Sequence, residues 1–181
     1  GDTGGRHAFG FAWPEKPGYA QLYNCDRPLP IVRWPRESDA RTGAVLDPGE
    51  ILGDPSTGNL GVKDPANPPR GGTFAIDPAQ IRRWANPGDL LCHGGWANDW
   101  SPATVPVGDL DCERGRLTLA LPVYKGVKEG RPFYVLNAIE EIARPGDWAV
   151  DRARGMLFLY PPAPAEAPRL ELSVLEQPLV R

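Results

Sequence analysis

The stretch FYVLNAIEEIARPGDWAVDRARGMLFLYPP, residues 133–162, indicates the fold class more clearly than any other part of the chain. It opens on an apolar run, Phe133–Leu136, that predicts a short buried strand. Its second half, Trp148–Tyr160, has two strand-like segments, Trp148–Val150 and Met156–Tyr160, on either side of a turn that contains Gly155. This pattern predicts a β-hairpin in which glycine takes a positive φ and Trp148 is buried.

Between that strand and that hairpin the sequence predicts a brief helix. Asn137 is a suitable N-cap residue, and Glu140 follows at the position that completes a capping box. Pro145-Gly146 cannot continue a helix, so we expect the helix to cover residues 137–143. A second short helix is predicted over residues 77–85, because Asp77-Pro78 is a favourable helix start and Pro87-Gly88 follows it.

Further short alternating segments lie outside this stretch. Tyr19–Asn24 and Leu29–Trp34 predict a hairpin, Arg116–Leu121 predicts a strand with its leucines inward, and Arg169–Leu175 predicts another strand. The sequence also contains 22 prolines, 21 glycines and six tryptophans without a repeating period, which favours many short strands joined by turns over disorder. We therefore predict an all-β fold, a small barrel or sandwich of short antiparallel strands with two short helices.

The length of 181 residues suits one domain with a proper core. We expect residues 1–181 to form a single all-β domain. Within it, residues 1–18 form a loose N-terminal segment and residues 36–72, rich in Asp-Pro turns, form a long irregular loop. Residues 169–181 are expected to form a strand that leads out of the domain.

Charge and composition exclude several classes of function. The formal net charge is −3 with scattered basic residues, which argues against nucleic acid as a partner. No apolar run approaches the length of a membrane span, and no residue pattern predicts a metal site or a cofactor. The cysteines leave two alternatives open: a Cys92–Cys112 disulfide, possible in a secreted protein, or three buried free thiols, which we favour. The residues concerned are Cys25, Cys92 and Cys112.

The stretch 133–162, with its PGDW and DRARGMLFLYPP elements, resembles a segment of secreted bacterial right-handed parallel β-helix proteins, many of them glycoside-hydrolase-like. Weaker similarities are Arg33-Trp34-Pro35 and a Gly-x-Trp-x-x-Asp-Trp element at residues 94–100. The resemblance implies an accessory or inserted all-β domain that assists glycan binding or caps the β-helix. It also implies a secreted or cell-surface location, and two partners: a polysaccharide and the β-helix portion of the parent protein. The β-helix coils, in which such families carry catalytic carboxylates, do not occur in this sequence.

The candidate binding residues surround the tryptophan element. Aromatic rings stack on the apolar C–H faces of sugars, and a carboxylate beside them can bind hydroxyl groups. We therefore predict a shallow sugar-facing surface, in which Gly94-Gly95 turns the backbone sharply. The alternative is that both indoles point into the core. The predicted site residues are His93, Trp96, Asp99, Trp100 and Tyr124.

Two other functions stay open at this stage, an autonomous glycoside hydrolase or polysaccharide lyase and a purely structural or protein-interaction domain. A glycosidase needs two carboxyl groups roughly 5–10 Å apart across a cleft. Glu140 and Glu141 are adjacent, and neighbours on a helical turn point apart. The sequence therefore nominates no catalytic residue, and we do not predict catalysis by this chain alone.

Overall fold

The computed structural model describes residues 21–51, 70–85, 87–162 and 169–173. Within these ranges the chain forms short β-strands, one four-residue α-helix and two 3-10 turns, so the prediction of an all-β fold is confirmed. The 3-10 turns are Pro87–Asp89 and Ile139–Glu141. The strands and the α-helix are β1 Leu22–Asn24, β2 Arg27–Leu29, β3 Arg33–Trp34, β4 Ala40–Arg41, β5 Val45–Asp47, β6 Thr73–Ala75, α1 Pro78–Ile81, β7 Leu91–Gly94, β8 Ala103–Asp111, β9 Arg116–Leu119, β10 Pro132–Leu136, β11 Trp148–Asp151, β12 Met156–Leu159 and β13 Leu170–Leu172.

The main sheet has the order β3-β10-β7-β8-β9-β6-β5, with β4 also pairing with β10, and its strand pairs are antiparallel. Within the described residues this path does not close into a barrel, which is consistent with the sandwich alternative of the prediction. A three-stranded sheet, β13-β1-β2, and the hairpin β11-β12 complete the fold.

Strand β8 joins the two halves of the main sheet. Its first part pairs with β7 and its second part with β9, and the register shifts between Val107 and Asp109. Gly108 lies at this irregularity, where a Cβ would come within 3.0 Å of Ala120 Cα. The close approach favours glycine at this point, where β8 passes from pairing with β7 to pairing with β9.

The core lies between these halves and is built by period-two alternation. Val105 and Val107 point inward from β8, and Leu117 and Leu119 do so from β9. They pack in one buried group with residues of the other strands and of α1. That group includes Phe74, Ile81, Trp84, Leu90, Cys92, Trp96, Val123, Val127, Phe133 and Val135.

The C-terminal hairpin forms as predicted. β11 and β12 pair from Trp148 with Leu159 to Asp151 with Met156, and Gly155 has a φ of +63°. Trp148 is 2% exposed, and its indole N–H donates to the Leu29 carbonyl oxygen at 2.8 Å.

The predicted helix at residues 137–143 needs correction. Only the 3-10 turn Ile139–Glu141 forms there, and Asn137 is not its cap, because Asn137 has a left-handed φ of +70° and Ala138 takes the cap position without a side-chain hydrogen bond. The capping box with Glu140 is therefore wrong. The other predicted helix is confirmed over Pro78–Ile81, where Asp77 Oδ1 accepts the Ala79 N–H at 2.9 Å.

The N-terminal hairpin also differs from the prediction. β1 pairs with β2, which begins at Arg27 inside the predicted turn, while Arg33 and Trp34 join the main sheet beside β10. Inside the span 36–72 the structure has two short strands, β4 and β5. The predicted segment 1–18, residues 52–69 and residues 174–181 lie outside the described residues.

Candidate functional site

An exposed tryptophan lies in the turn between β7 and β8. Trp100 is 59% exposed, and its ring meets the ring of Tyr124 edge to face, with the centroids 5.4 Å apart. The turn is shaped by Asn98, whose Oδ1 accepts the Ser101 N–H at 3.0 Å. The structure thus brings together two of the residues named in the sequence prediction, the exposed Trp100 and the half-buried Tyr124.

Lys125 completes the aromatic pair. Its Nζ lies 5.9 Å from the centroid of the Trp100 ring and 5.5 Å from that of Tyr124, within the range of a cation–π interaction. Lys125 has a left-handed φ of +59°, and the following Gly126 N–H donates to the Val123 carbonyl oxygen at 3.0 Å. A tight turn thus brings the ammonium group over both rings.

Asp99 and Arg131 form an ion pair beside Trp100. The Arg131 guanidinium contacts Asp99 Oδ1, and its Nε–H donates to the Gly95 carbonyl oxygen at 2.7 Å. The Asp99 side chain is exposed, whereas that of Arg131 is mostly buried. We call the set Asp99, Trp100, Tyr124, Lys125 and Arg131 the Trp100 cluster.

Trp96 does not belong to this surface, and its prediction as a sugar-facing residue is corrected. It is 1% exposed, and its ring centroid lies 6.0 Å from that of Phe74 and 6.1 Å from that of Phe133. Its indole N–H donates to the Ala103 carbonyl oxygen at 3.0 Å. Trp96 therefore anchors the turn from inside while Trp100 stays at the surface.

His93 lies in a different row of side chains, on the outward-facing side of β7. Its Nδ1 is 2.8 Å from Thr104 Oγ1, and its ring stacks on Tyr134 at 4.9 Å between centroids. The Arg33 guanidinium, on β3, lies over the same Tyr134 ring at 4.1 Å from its centroid. Burial lowers the pKa of His93, with the nearby Asp39 raising it in part. These cross-strand contacts account for His93 as a sheet-stabilising residue.

The carboxylates that sequence analysis considered for catalysis serve structural roles. Glu141 Oε1 accepts hydrogen bonds from Gln80 Nε2 at 2.9 Å and from Trp84 Nε1 at 3.2 Å. Glu140 Oε1 accepts the Ala85 N–H at 2.6 Å. Both side chains therefore tie the 3-10 turn Ile139–Glu141 to α1 and the residues after it.

The remaining groups to place are the possible metal ligands and the cysteines of the described parts of the chain. In those parts no three His, Cys, Asp or Glu side chains come together as a metal site would need. Cys92 is a buried free thiol, and burial raises its pKa. Cys25 and Cys112 are free as well, so Cys92 and Cys112 do not pair. The expectation of three buried thiols is corrected, because Cys25 is exposed and Cys112 is half-buried. Among the described residues no helix is long and apolar enough to cross a membrane.

Two residues of the cluster were missed by sequence analysis, Lys125 and Arg131. The Lys125-Gly126 pair signals a turn, but nothing in its spacing places the lysine over Trp100. Arg131 reaches Asp99 across 32 positions of sequence, and no local pattern predicts that contact.

Comparisons with known proteins add a likeness of fold. No family model matches the sequence, and no curated protein matches it. A solved structure described as a glycoside hydrolase has a similar fold, with a TM-score of 0.50 and 13% sequence identity over 84% of this chain. The match covers 26% of that chain, so this chain spans about a quarter of its length. At this identity the likeness concerns the fold alone.

Proposed function

We propose that this chain is a carbohydrate-contacting accessory domain of a larger, glycoside-hydrolase-like protein. The Trp100 cluster is the surface that meets the glycan. The domain would hold substrate near the catalytic part of the parent protein, or cap its β-helix. We assign no catalytic pair of carboxylates to this chain.

The observation that carries this proposal is the exposed Trp100 indole. Two tryptophans lie four positions apart in one turn, and one is 1% exposed while the other is 59% exposed. Buried Trp96 fixes the turn, so the exposed ring is presented by a rigid support. Such an amphipathic aromatic ring offers a large contact area at low entropic cost.

The groups around the ring suit a sugar. The pyranose C–H face can stack on the exposed indole, as apolar edges do on aromatic faces. The adjacent Asp99–Arg131 pair offers a carboxylate and guanidinium N–H groups to hydroxyls, which both donate and accept hydrogen bonds. The cluster thus combines the apolar and polar contacts that a sugar ring needs.

The name and size of the similar solved structure support the proposal of a larger parent protein. That structure is described as a glycoside hydrolase, and this chain matches 26% of it. On the sequence resemblance, we assign the parent to secreted or cell-surface proteins with a right-handed parallel β-helix. Exposed apolar residues of β12 and β13 are available for contact with that portion. They are Met156, Leu157, Leu170 and Leu172.

The test is retention of the chain in native gels that contain soluble glycans. The panel includes xylan, mannan, mixed-linkage β-glucan, pectin and alginate, each compared with a gel that lacks glycan. We expect the wild-type chain to be retarded by at least one member and Trp100→Ala to bind that glycan at least about tenfold more weakly. Its melting temperature should stay close to the wild-type value, because the ring is exposed.

Tyr160→Ala is the matched control for this test. Tyr160 is another exposed aromatic residue, 45% exposed, at the end of the β11-β12 hairpin. We expect its removal to leave retention unchanged. Retention of Trp100→Ala equal to that of the wild type, or no retention of the wild type by any glycan, contradicts the proposed function.

A further inference from the structure

The position of Lys125 narrows the class of glycan. Its ammonium group lies over both rings of the aromatic pair, at 5.9 Å and 5.5 Å from their centroids. A sugar that contacts the exposed indole would therefore have a cation close to it. We propose that the Trp100 cluster recognises acidic sugars, with Lys125 binding the carboxylate of a uronate residue. This inference rests on the proposed function.

The backbone at Lys125 is unusual for a lysine. Lys125 and Gly126 have φ values of +59° and +69°, in the left-handed region. Glycine adopts this region without cost, whereas a residue with a Cβ is strained there. Residues held in such conformations concentrate at functional sites. The lysine is thus kept at a position where the backbone alone favours glycine or asparagine.

The turn that carries Lys125 is firmly held. Val123 and Val127, which flank it, are buried in the main core. The Val127 N–H donates to the Pro48 carbonyl oxygen at 3.0 Å, and a Cβ on Gly126 would come within 3.0 Å of the same oxygen. The ammonium group therefore extends from a fixed base, which lowers the entropy lost on binding.

The charges around the cluster leave Lys125 as its unneutralised cation. Arg131, the other cation of the cluster, is paired with Asp99. Among the residues that the structure describes, Lys125 has no carboxylate within ion-pair distance, and its contacts there are with the two rings. The whole chain has a net charge of −3, so a general attraction to polyanions is not expected. A preference for acidic glycans would therefore have to come from a local positive charge such as that of Lys125.

The test compares polygalacturonate with its fully methyl-esterified form in native affinity gels. The two polymers share sugar and linkage and differ in the carboxylate charge. We expect stronger retention by polygalacturonate than by the ester. Lys125→Asn removes the charge and accepts a positive φ. We expect it to bind polygalacturonate about fivefold more weakly, the value of an exposed ion pair, and the ester as the wild type does.

Two control variants separate the local charge from general effects. Lys125→Arg keeps the charge and should keep wild-type retention by polygalacturonate. Lys128→Asn removes an exposed lysine from the same loop and should also leave retention unchanged. Equal losses for Lys125→Asn and Lys128→Asn would overturn the inference, as would a wild-type chain retained by dextran sulfate but not by polygalacturonate.

Failure of this inference differs from failure of the proposed function. Lys125→Asn that is retained by polygalacturonate as strongly as the wild type, or a wild type that neither pectin form retains, overturns acidic-sugar recognition. In the same gels, weaker retention of Trp100→Ala by the ester or by another neutral glycan keeps the proposed function. Unchanged retention of Trp100→Ala on every polymer contradicts both.

Discussion

Asn137 holds together the ends of three elements. Its Nδ2 donates to the Asp89 carbonyl oxygen at 3.0 Å and to that of Val150 at 2.8 Å, while its Oδ1 accepts the Val150 N–H at 2.8 Å. The residue is 2% exposed and has a φ of +70°. Asparagine suits this position because it tolerates the left-handed region and can both donate and accept.

Replacing Asn137 with alanine should therefore cost far more than loss of a cap. We expect the free energy of unfolding to fall by about 3 kcal/mol, because buried backbone groups lose their partners and alanine is strained at positive φ. Urea unfolding measures this. Asn137→Gly is the matched control, since it keeps the backbone conformation and should lose somewhat less. A loss near 1 kcal/mol for alanine, typical of a cap, would contradict the account.

For single residues, the sequence shows which chemical groups are present more clearly than it shows where the fold places them. Trp96 and Trp100 carry the same signal, yet one is in the core and the other is exposed, because the turn at Asn98 sends their rings in opposite directions. Asn137 is a residue type that commonly caps helices, but here its side chain instead links Asp89 and Val150. Both outcomes depend on contacts between residues distant in sequence, which local patterns do not contain.

At the scale of elements, the β11-β12 hairpin was the most predictable unit. Its two strands, its glycine turn and its buried tryptophan are indicated by local signals, and all three are present in the structure. The short helical turn before it was less predictable, since its geometry depends on Asp89 and Val150, which Asn137 binds.

We expect Trp148→Ala to destabilise the protein by about 3–5 kcal/mol, the usual cost of removing a buried aromatic ring. The variant also removes the hydrogen bond from the indole to Leu29. Thermal and urea unfolding measure the change. Met156→Ala, at an exposed position of the same hairpin, should cost less than about 0.5 kcal/mol. Equal effects of the two variants would show that the hairpin does not pack through Trp148.

Asp147, in the turn before the hairpin, should make the free energy of unfolding depend on pH in the acidic range. Burial raises the pKa of Asp147, but the Arg36 guanidinium and the N–H groups of Ala143 and Arg144 outweigh it, so the pKa is lowered to about 2. The pKa of an aspartate in the unfolded chain is about 3.9. The resulting stabilisation is complete above the unfolded pKa and is lost as the pH falls through the folded value.

Between pH 5 and pH 2 the wild-type chain should therefore lose roughly 2 kcal/mol more stability than Asp147→Asn, which cannot titrate. Urea unfolding at a series of pH values measures this difference. Glu37→Gln is the control, because its carboxylate pairs with Arg144 at the exposed surface. A pH profile of Asp147→Asn parallel to that of the wild type would refute the assignment.

At the scale of the molecule, the fold class was predictable and the strand order was not. Alternation, turn residues and frequent prolines indicate an all-β chain, but sheet order depends on pairings such as β10 with β7 and β9 with β6, which join distant segments. The passage of β8 from pairing with β7 to pairing with β9 occurs at a register shift at Gly108 that alternation alone does not indicate.

The candidate site follows the same rule. Trp100 and Tyr124 could be nominated from the sequence because they are aromatic residues. Lys125 and Arg131 belong to the cluster because of contacts that only the folded chain makes. The sandwich thus places a hydrophobic ring, an ion pair and a cation on one surface. We expect sugar binding to need these groups together, and no single one of them to be sufficient.

The measurement that tests the central claim most directly is an NMR titration of the tryptophan indole N–H signals with a retained glycan. The chain has six tryptophans, and the Trp100 signal is identified by its loss in Trp100→Ala. The account predicts that this signal shifts progressively with glycan, while those of buried Trp96 and Trp148 stay in place. A Trp100 signal that does not move while the glycan binds would contradict it.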